Sequence, residues 1–180
     1  VTQPSESDGG LWPAHHFADV VRTGALDATI AAPANGDDIS SSIAGIGPAV
    51  FEIAEAALGM QVEKSGQTTE HTLGTVTLVN YVSNHYGSTN DFEVWTDTPG
   101  TRFAWYGDSG SLIVERTHPE EQTWKRVVGL LWGGDPDDEN AYAHQIGDVF
   151  ADLNLTTICA GVFEAILDDT FSEFAGPRAP

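Results

Sequence analysis

The sequence predicts a mostly-β domain with a helical tail, and three observations carry that expectation. Beyond residue 60, apolar and polar residues alternate over several short runs, the two-residue period of half-buried strands. Nineteen glycines and nine prolines in 180 residues supply turns at the density that a chain of short strands needs. Hydrophobic residues make up 41% of the chain, enough for a buried core and too many for a disordered tail. At this length the core belongs to one ordinary domain, or to two small barrels sharing an interface.

The elements follow in order. Residues 1–10 (VTQPSESDGG) read as loop. Residues 15–22 (HHFADVVR) and 26–32 (LDATIAA) read as two short strands about a turn at Thr23 and Gly24. The breaker-rich stretch 33–47 reads as a loop. Pro48 then opens a segment in which Val50, Ile53, Ala54, Ala57 and Leu58 fall at helical spacing, and Gly59 closes it, so the pattern predicts a short helix. From Met60 the period becomes two, which gives strands near 60–64, 72–83 and 91–96. Residues 111–116 (SLIVER) and 125–132 (KRVVGLLW) are two runs joined like a hairpin, and 141–146 adds one more strand. Residues 146–153 and 160–174 read as helices. The second carries Val162, Phe163, Ile166, Leu167 and Phe171 on one face and Glu164, Asp168, Asp169 and Glu173 on another. Such a helix packs on the rest of the domain or binds a partner.

Charge narrows the function. Seven Lys and Arg stand against 27 Asp and Glu, a formal charge of −20. A field of that sign repels phosphate backbones and anionic lipid, which argues against nucleic-acid and membrane-surface partners. It fits a high-salt environment or a basic partner equally well. No apolar run approaches the length of a membrane span. The lone Cys159 excludes an internal disulfide framework and a cysteine zinc cluster, and it favours a reducing interior such as the cytoplasm. The histidines are scattered without metal-ligand spacing. The acidic run 135–140 (DPDDEN) has an early proline and lacks the glycine of a calcium loop, so it reads as a solvated turn. No metal or organic cofactor is expected.

Chemistry concentrates in Gly107-Asp108-Ser109-Gly110-Ser111, which leads into an apolar strand. A nucleophilic serine needs an exposed hydroxyl on a tight turn and backbone N–H groups aimed at a developing oxyanion. Glycines on both sides of Ser109 permit that turn, and the amides of Gly107 and Ser109 are the candidates for the oxyanion hole. The G-x-S-x-G elbow of α/β-hydrolases is a poor fit, because the fifth residue is Ser111 and the segment enters a strand, not a helix. The plain alternative is a hairpin turn without chemistry.

Three further stretches stand in order around this turn: residues 26–31 (LDATIA), residues 64–69 (KSGQTT) with Gly74-Thr75-Val76, and residues 128–134 (VGLLWGG). Together with the serine turn they resemble the trypsin/chymotrypsin-like serine peptidases, in a bacterial and fungal branch lacking disulfides. Gln67 and Glu70 depart from the Arg and Gly of that branch's signature. The resemblance implies an all-β fold, the chymotrypsin-like double antiparallel β-barrel, with short helices including a C-terminal one and with the first barrel incomplete in this chain. Residues 1–59 would be the remainder of the N-terminal barrel with its connecting loop and helix, 60–158 the barrel carrying the nucleophile, and 159–180 the C-terminal helix and tail. It implies Ser109 as nucleophile, Asp27 as triad acid, and a polypeptide substrate. Phe103, six residues before Ser109, would floor the primary pocket, with Trp132 and Gly133 flanking the cleft. An aromatic floor favours small or apolar side chains. In the alternative, Phe103 packs in the core and Asp135, Asp137, Asp138 and Glu139 rim the cleft, favouring basic residues.

The resemblance also implies a catalytic histidine ahead of the acid. Only His15 and His16 precede Asp27, within an apparent strand pair and far closer than the family's spacing. The opening residues resemble the family segment that follows the catalytic histidine. The expectation is therefore a histidine upstream of Val1, on a companion N-terminal segment of the same precursor. Three explanations stay open: a chain cleaved upstream of Val1, a fragment, or a homologue without a triad that acts as a binding module.

Overall fold

The computed structural model describes residues 9, 11–14, 16–34, 42–48, 52–84, 87–116, 125–135 and 139–156. The helix expected over 160–174, Cys159, His15, His85, His118, Asp137 and Asp138 lie outside the described residues. The chain begins with an antiparallel ribbon of β1 (Ala18–Thr23) and β2 (Thr29–Pro33), in which Ala18 faces Pro33 and Thr23 faces Thr29. A two-rung hairpin follows, β3 (Ser42–Ile43) with β4 (Gly47–Pro48), inside the stretch expected to be loop. Next come β5 (Glu52–Ile53), β6 (Gln61–Gly66), β7 (Glu70–Tyr81) and β8 (Asp91–Thr96). β9 (Leu112–Glu115), β10 (Arg126–Gly134), β11 (Asn140–Gln145) and α1 (Ile146–Asp152) complete the order.

Strands β6 to β11 close on themselves. Their order is β11-β8-β7-β6-β9-β10, and β10 returns to β11, so each strand has a neighbour on both sides. All six pairings are antiparallel. A closed barrel leaves no free edge for aggregation and fixes every strand's inward parity. Val62, Val76, Phe92, Val94, Ile113 and Val128 belong to one core cluster within it. Val127 and Val128 are both buried yet belong to different clusters, because adjacent strand residues face opposite ways. The outer cluster, with Ala28, Val114, Val127, Ile146, Val149 and Leu153, packs the β1–β2 ribbon and α1 onto the barrel. Two polar ties secure that docking: Leu26 N donates to Asp152 Oδ2 at 3.0 Å, and Arg22 Nη1 to the Leu153 carbonyl at 2.5 Å.

The helix expected from Pro48 to Gly59 is absent from the described part of that segment, and its backbone bonds show why. Glu52 and Ile53 run parallel to Arg126 and Val127 of β10. Ala54 N donates to the Val127 carbonyl, and the Gln145 side chain grips both the amide and the carbonyl of Ala56. A helix nucleus fixes several dihedrals before its first bond repays them, whereas these long-range partners are already in place. Ile53 and Leu58, expected on the buried face, are 44% and 70% exposed.

Candidate active site

The connection from β8 to β9 carries the serine turn. Gly107 and Gly110 adopt φ of +96° and +88°, the left-handed backbone that glycine tolerates without a Cβ clash. Within the turn, Asp108 N donates to the Trp105 carbonyl, Gly110 N to Leu131 and Ser111 N to Asp108. Among the described residues no partner is seen for the amides of Gly107 and Ser109. Ser109 is exposed, and its Oγ donates to the Trp132 carbonyl at 3.3 Å.

The turn is built on Asp108, whose side chain has no exposure. Its Oδ1 accepts from the amides of Thr68 (2.7 Å) and Thr69 (3.2 Å). Its Oδ2 accepts from the Thr69 hydroxyl (2.7 Å) and the Trp105 amide (2.9 Å), and lies 3.3 Å from Lys64 Nζ. Lys64 is equally buried and also donates to the Thr69 hydroxyl and to the Glu70 carbonyl at 3.2 Å. Thr68 Oγ1 closes the ring of contacts by donating to the Tyr106 carbonyl at 2.6 Å. Residues 64–69, noted in the sequence only as a signature, are thus the cradle of the serine turn. One signal pointed there: Lys64 shares the inward parity of Val62 on β6, and a lysine at an apolar position calls for a buried counter-charge.

Burial works against the ionised forms of both partners. For Asp108 it would raise the carboxyl, but the hydrogen bonds from the Thr69 hydroxyl and the Thr68, Trp105 and Thr69 amides outweigh it and hold the group below its ordinary value. For Lys64, burial pulls the ammonium below its ordinary value against the attraction of Asp108. The sign for Asp108 is direct. Between its folded value and 3.8 the unfolded chain binds more protons, so its contribution is complete above 3.8 and is lost as pH falls below that. In urea titrations the stability gap between the wild type and Asp108→Asn is expected to narrow only below that pH. A gap that stays constant there would sink the assignment.

Two hollows meet at Ser109. One, of about 160 Å³, is lined by Ala104, Trp105, Tyr106, Leu131, Trp132 and Gly133, with Asp135 beyond them. Its far wall is braced by Arg102, which lies 4.1 Å over the Trp105 ring and donates to the Asp135 carbonyl at 3.4 Å. The other hollow, shallower and about 480 Å³, lies between Ala44 of the β3–β4 hairpin and the segment Ser65, Gly66 and Gln67, with Gly107 on its floor side. The structure therefore brings Ser109, Trp132 and Gly133 together around one hollow, and Ser109 and Gly107 around the other.

Phe103 and Asp27 line neither hollow. Phe103 has 0% exposure and sits in the barrel core, while its neighbour Ala104 lines the hollow. Asp27 is an exposed residue at φ +54° in the turn between β1 and β2, on a different sheet from the serine turn. The described histidines are each paired with a carboxylate: His16 with Asp19 at 3.0 Å, His71 with Glu63 at 2.7 Å and His144 with Asp91 at 2.8 Å. Ser109 Oγ bonds no imidazole among the described residues.

A closed six-stranded antiparallel barrel defines a fold class, and solved structures share that fold. The chain is similar to a glutamic-acid-specific serine protease (TM-score 0.55, 21% identity, 78% of this chain and 72% of that one). It is similar to protease A of Thermobifida fusca (TM-score 0.56, 19% identity, 80% and 75%) and to a chymotrypsin of Cellulomonas bogoriensis (TM-score 0.53, 17% identity, 81% and 86%). At these identities the likeness is one of fold: the chain has the chymotrypsin-like serine-protease fold. No protein-family profile matches the sequence, and no curated protein matches it.

Proposed function

We propose that the chain is the nucleophile-bearing part of a serine endopeptidase. Ser109 Oγ attacks the scissile carbonyl, and a histidine on a companion N-terminal segment of the same precursor takes its proton. Asp27 fixes that histidine's tautomer, and the Gly107 and Ser109 amides hold the oxyanion. The histidine then hands the proton to the leaving amine, and water releases the acyl group from Ser109. One observation carries the reading: an exposed serine hydroxyl at the junction of two hollows, on a turn held by the buried Asp108. The companion segment is supported by the β1–β2 ribbon, which has two strands among the described residues, and by Leu11, Trp12 and Val20, exposed by 64%, 62% and 56%. Strands from such a segment would cover these side chains. The smaller hollow, walled by Ala104, Leu131 and Trp132, suits a small or apolar side chain ahead of the scissile bond.

A second reading, a peptidase-like module that binds polypeptide without cleaving it, is favoured by the bond from Ser109 Oγ to the Trp132 carbonyl. Intact-mass spectrometry with a fluorophosphonate probe separates the two. With the upstream segment present, one adduct per chain is expected, lost in Ser109→Ala. No adduct under that condition would rule out the peptidase and leave the binding module.

A further inference from the structure

Bonded to Trp132, which lines the smaller hollow, is a polar cluster that the chemistry above does not use. Asp91, the first residue of β8, is 2% exposed, and His144 of β11 is 1% exposed. Asp91 Oδ2 accepts from Ser88 Oγ at 2.5 Å and from the Trp132 indole Nε1–H at 3.1 Å. Its Oδ1 lies 2.8 Å from His144 Nδ1. A carboxylate offers only acceptors, so that nitrogen carries the imidazole proton. Burying this many polar groups is costly unless they are mutually satisfied, and here the carboxylate serves three donors at once.

The strand pairing shows why Trp132 needs such a partner. On β10 the register steps from Leu131 opposite Ala143 to Gly133 opposite Tyr142, so Trp132 is the extra residue of a bulge. A bulged residue has lost its ladder partner, and its side-chain direction must be set by something else. The indole is stacked 5.6 Å from Tyr142 and 5.8 Å from His144, two residues of β11 with the same facing. Stacking tolerates sliding, whereas a hydrogen bond from Nε1 to a fixed oxygen does not. The same residue presents its carbonyl to Ser109 Oγ and lines the hollow.

We infer that Asp91, held in turn by Ser88 and His144, is a positioning residue that locks the bulged Trp132 and so sets the wall against which substrate is aligned. The consequence for turnover rests on the peptidase reading; the lock itself does not. Two measurements on the full chain with its upstream segment keep them distinguishable. In nitrogen-15 spectra the Trp132→Phe variant assigns the Trp132 indole among the five tryptophans. Its N–H is expected to exchange with water slowly in the wild type and about tenfold faster in Asp91→Leu, which leaves the indole no acceptor there, the size of effect that loss of a hydrogen bond to a charged acceptor produces. An unchanged indole signal overturns the lock. In turnover of a peptide ester, Asp91→Leu is expected to raise KM about tenfold with kcat within about twofold, and the Asp91→Leu/Trp132→Phe double variant to be no worse than either single one. Losses that multiply in the double variant overturn the inference, since Asp91 would then act elsewhere than through Trp132. If Asp91→Leu does not fold, Trp132→Phe alone must show the KM rise, and an unaltered KM overturns it. If the wild type shows no turnover, the peptidase reading has failed and the indole exchange rate decides the lock.

Discussion

Lys64→Met is expected to cost about 3–5 kcal/mol of folding stability, a large part of the roughly 5–15 kcal/mol that holds an ordinary domain together. Met has nearly the reach of Lys and fills the same space under the Phe103 ring, from which Lys64 Nζ is 6.0 Å, so little packing is lost. What is lost is the counter-charge of a carboxylate with no exposure. Asp108 cannot turn to water without releasing Thr68, Thr69 and Trp105, whose amides it satisfies. The pair resists relaxation on both sides. Adding Asp108→Asn removes the stranded charge while keeping an oxygen for the Thr68 and Thr69 amides, at the loss of the Trp105 one, so the double variant is expected to be more stable than Lys64→Met alone. Urea unfolding of the three proteins measures this. A loss below about 1 kcal/mol in Lys64→Met would mean that the hydrogen bonds hold Asp108 without help.

That network explains which parts of the molecule were legible in the sequence. The strands of the closed barrel were, because a half-buried strand writes its period into the chain; the run predicted at 91–96 is β8 to the residue. The serine turn was legible from its two flanking glycines. The segment before the barrel was not, since apolar residues at helical spacing say nothing of a waiting β10 edge or of a Gln145 side chain ready to bind the Ala56 backbone. Nor was Phe103: its distance from Ser109 along the chain gives its depth in the connection but not which way the ring turns, and the ring turns into the core. Lys64 opposite Asp108, and Trp132 and His144 opposite Asp91, come from strands distant in sequence, and only the register of a closed barrel brings them together. A charge at an inward parity, as at Lys64, marks one end of such a contact and leaves the other end unnamed.

Gly66→Ala is expected to abolish probe labelling of Ser109 while leaving most of the barrel intact. Gly66 ends β6 directly beneath the serine turn. A Cβ there would stand 2.7 Å from Asp108 Cγ and 2.9 Å from Ser111 Oγ, with Asp108 Oδ1 closer still. The intruding methyl cannot be met by a side-chain rotation. Asp108 is held by four hydrogen bonds and an ion pair, and Ser111 Oγ is itself bonded to the Asp108 carbonyl at 2.6 Å. Overpacking at such a point costs about 1–3 kcal/mol, which a domain survives. The displacement, however, falls on Asp108, next to Ser109, and on Ser111, two residues beyond it, and a shift of about 1 Å there is enough to lower reactivity by roughly 100-fold. The signature to look for is therefore a split: an unfolding midpoint only modestly lowered, with fluorophosphonate uptake lost under conditions where the wild type is fully labelled. Equal uptake in both proteins would show that Asp108 does not govern the shape of the serine turn.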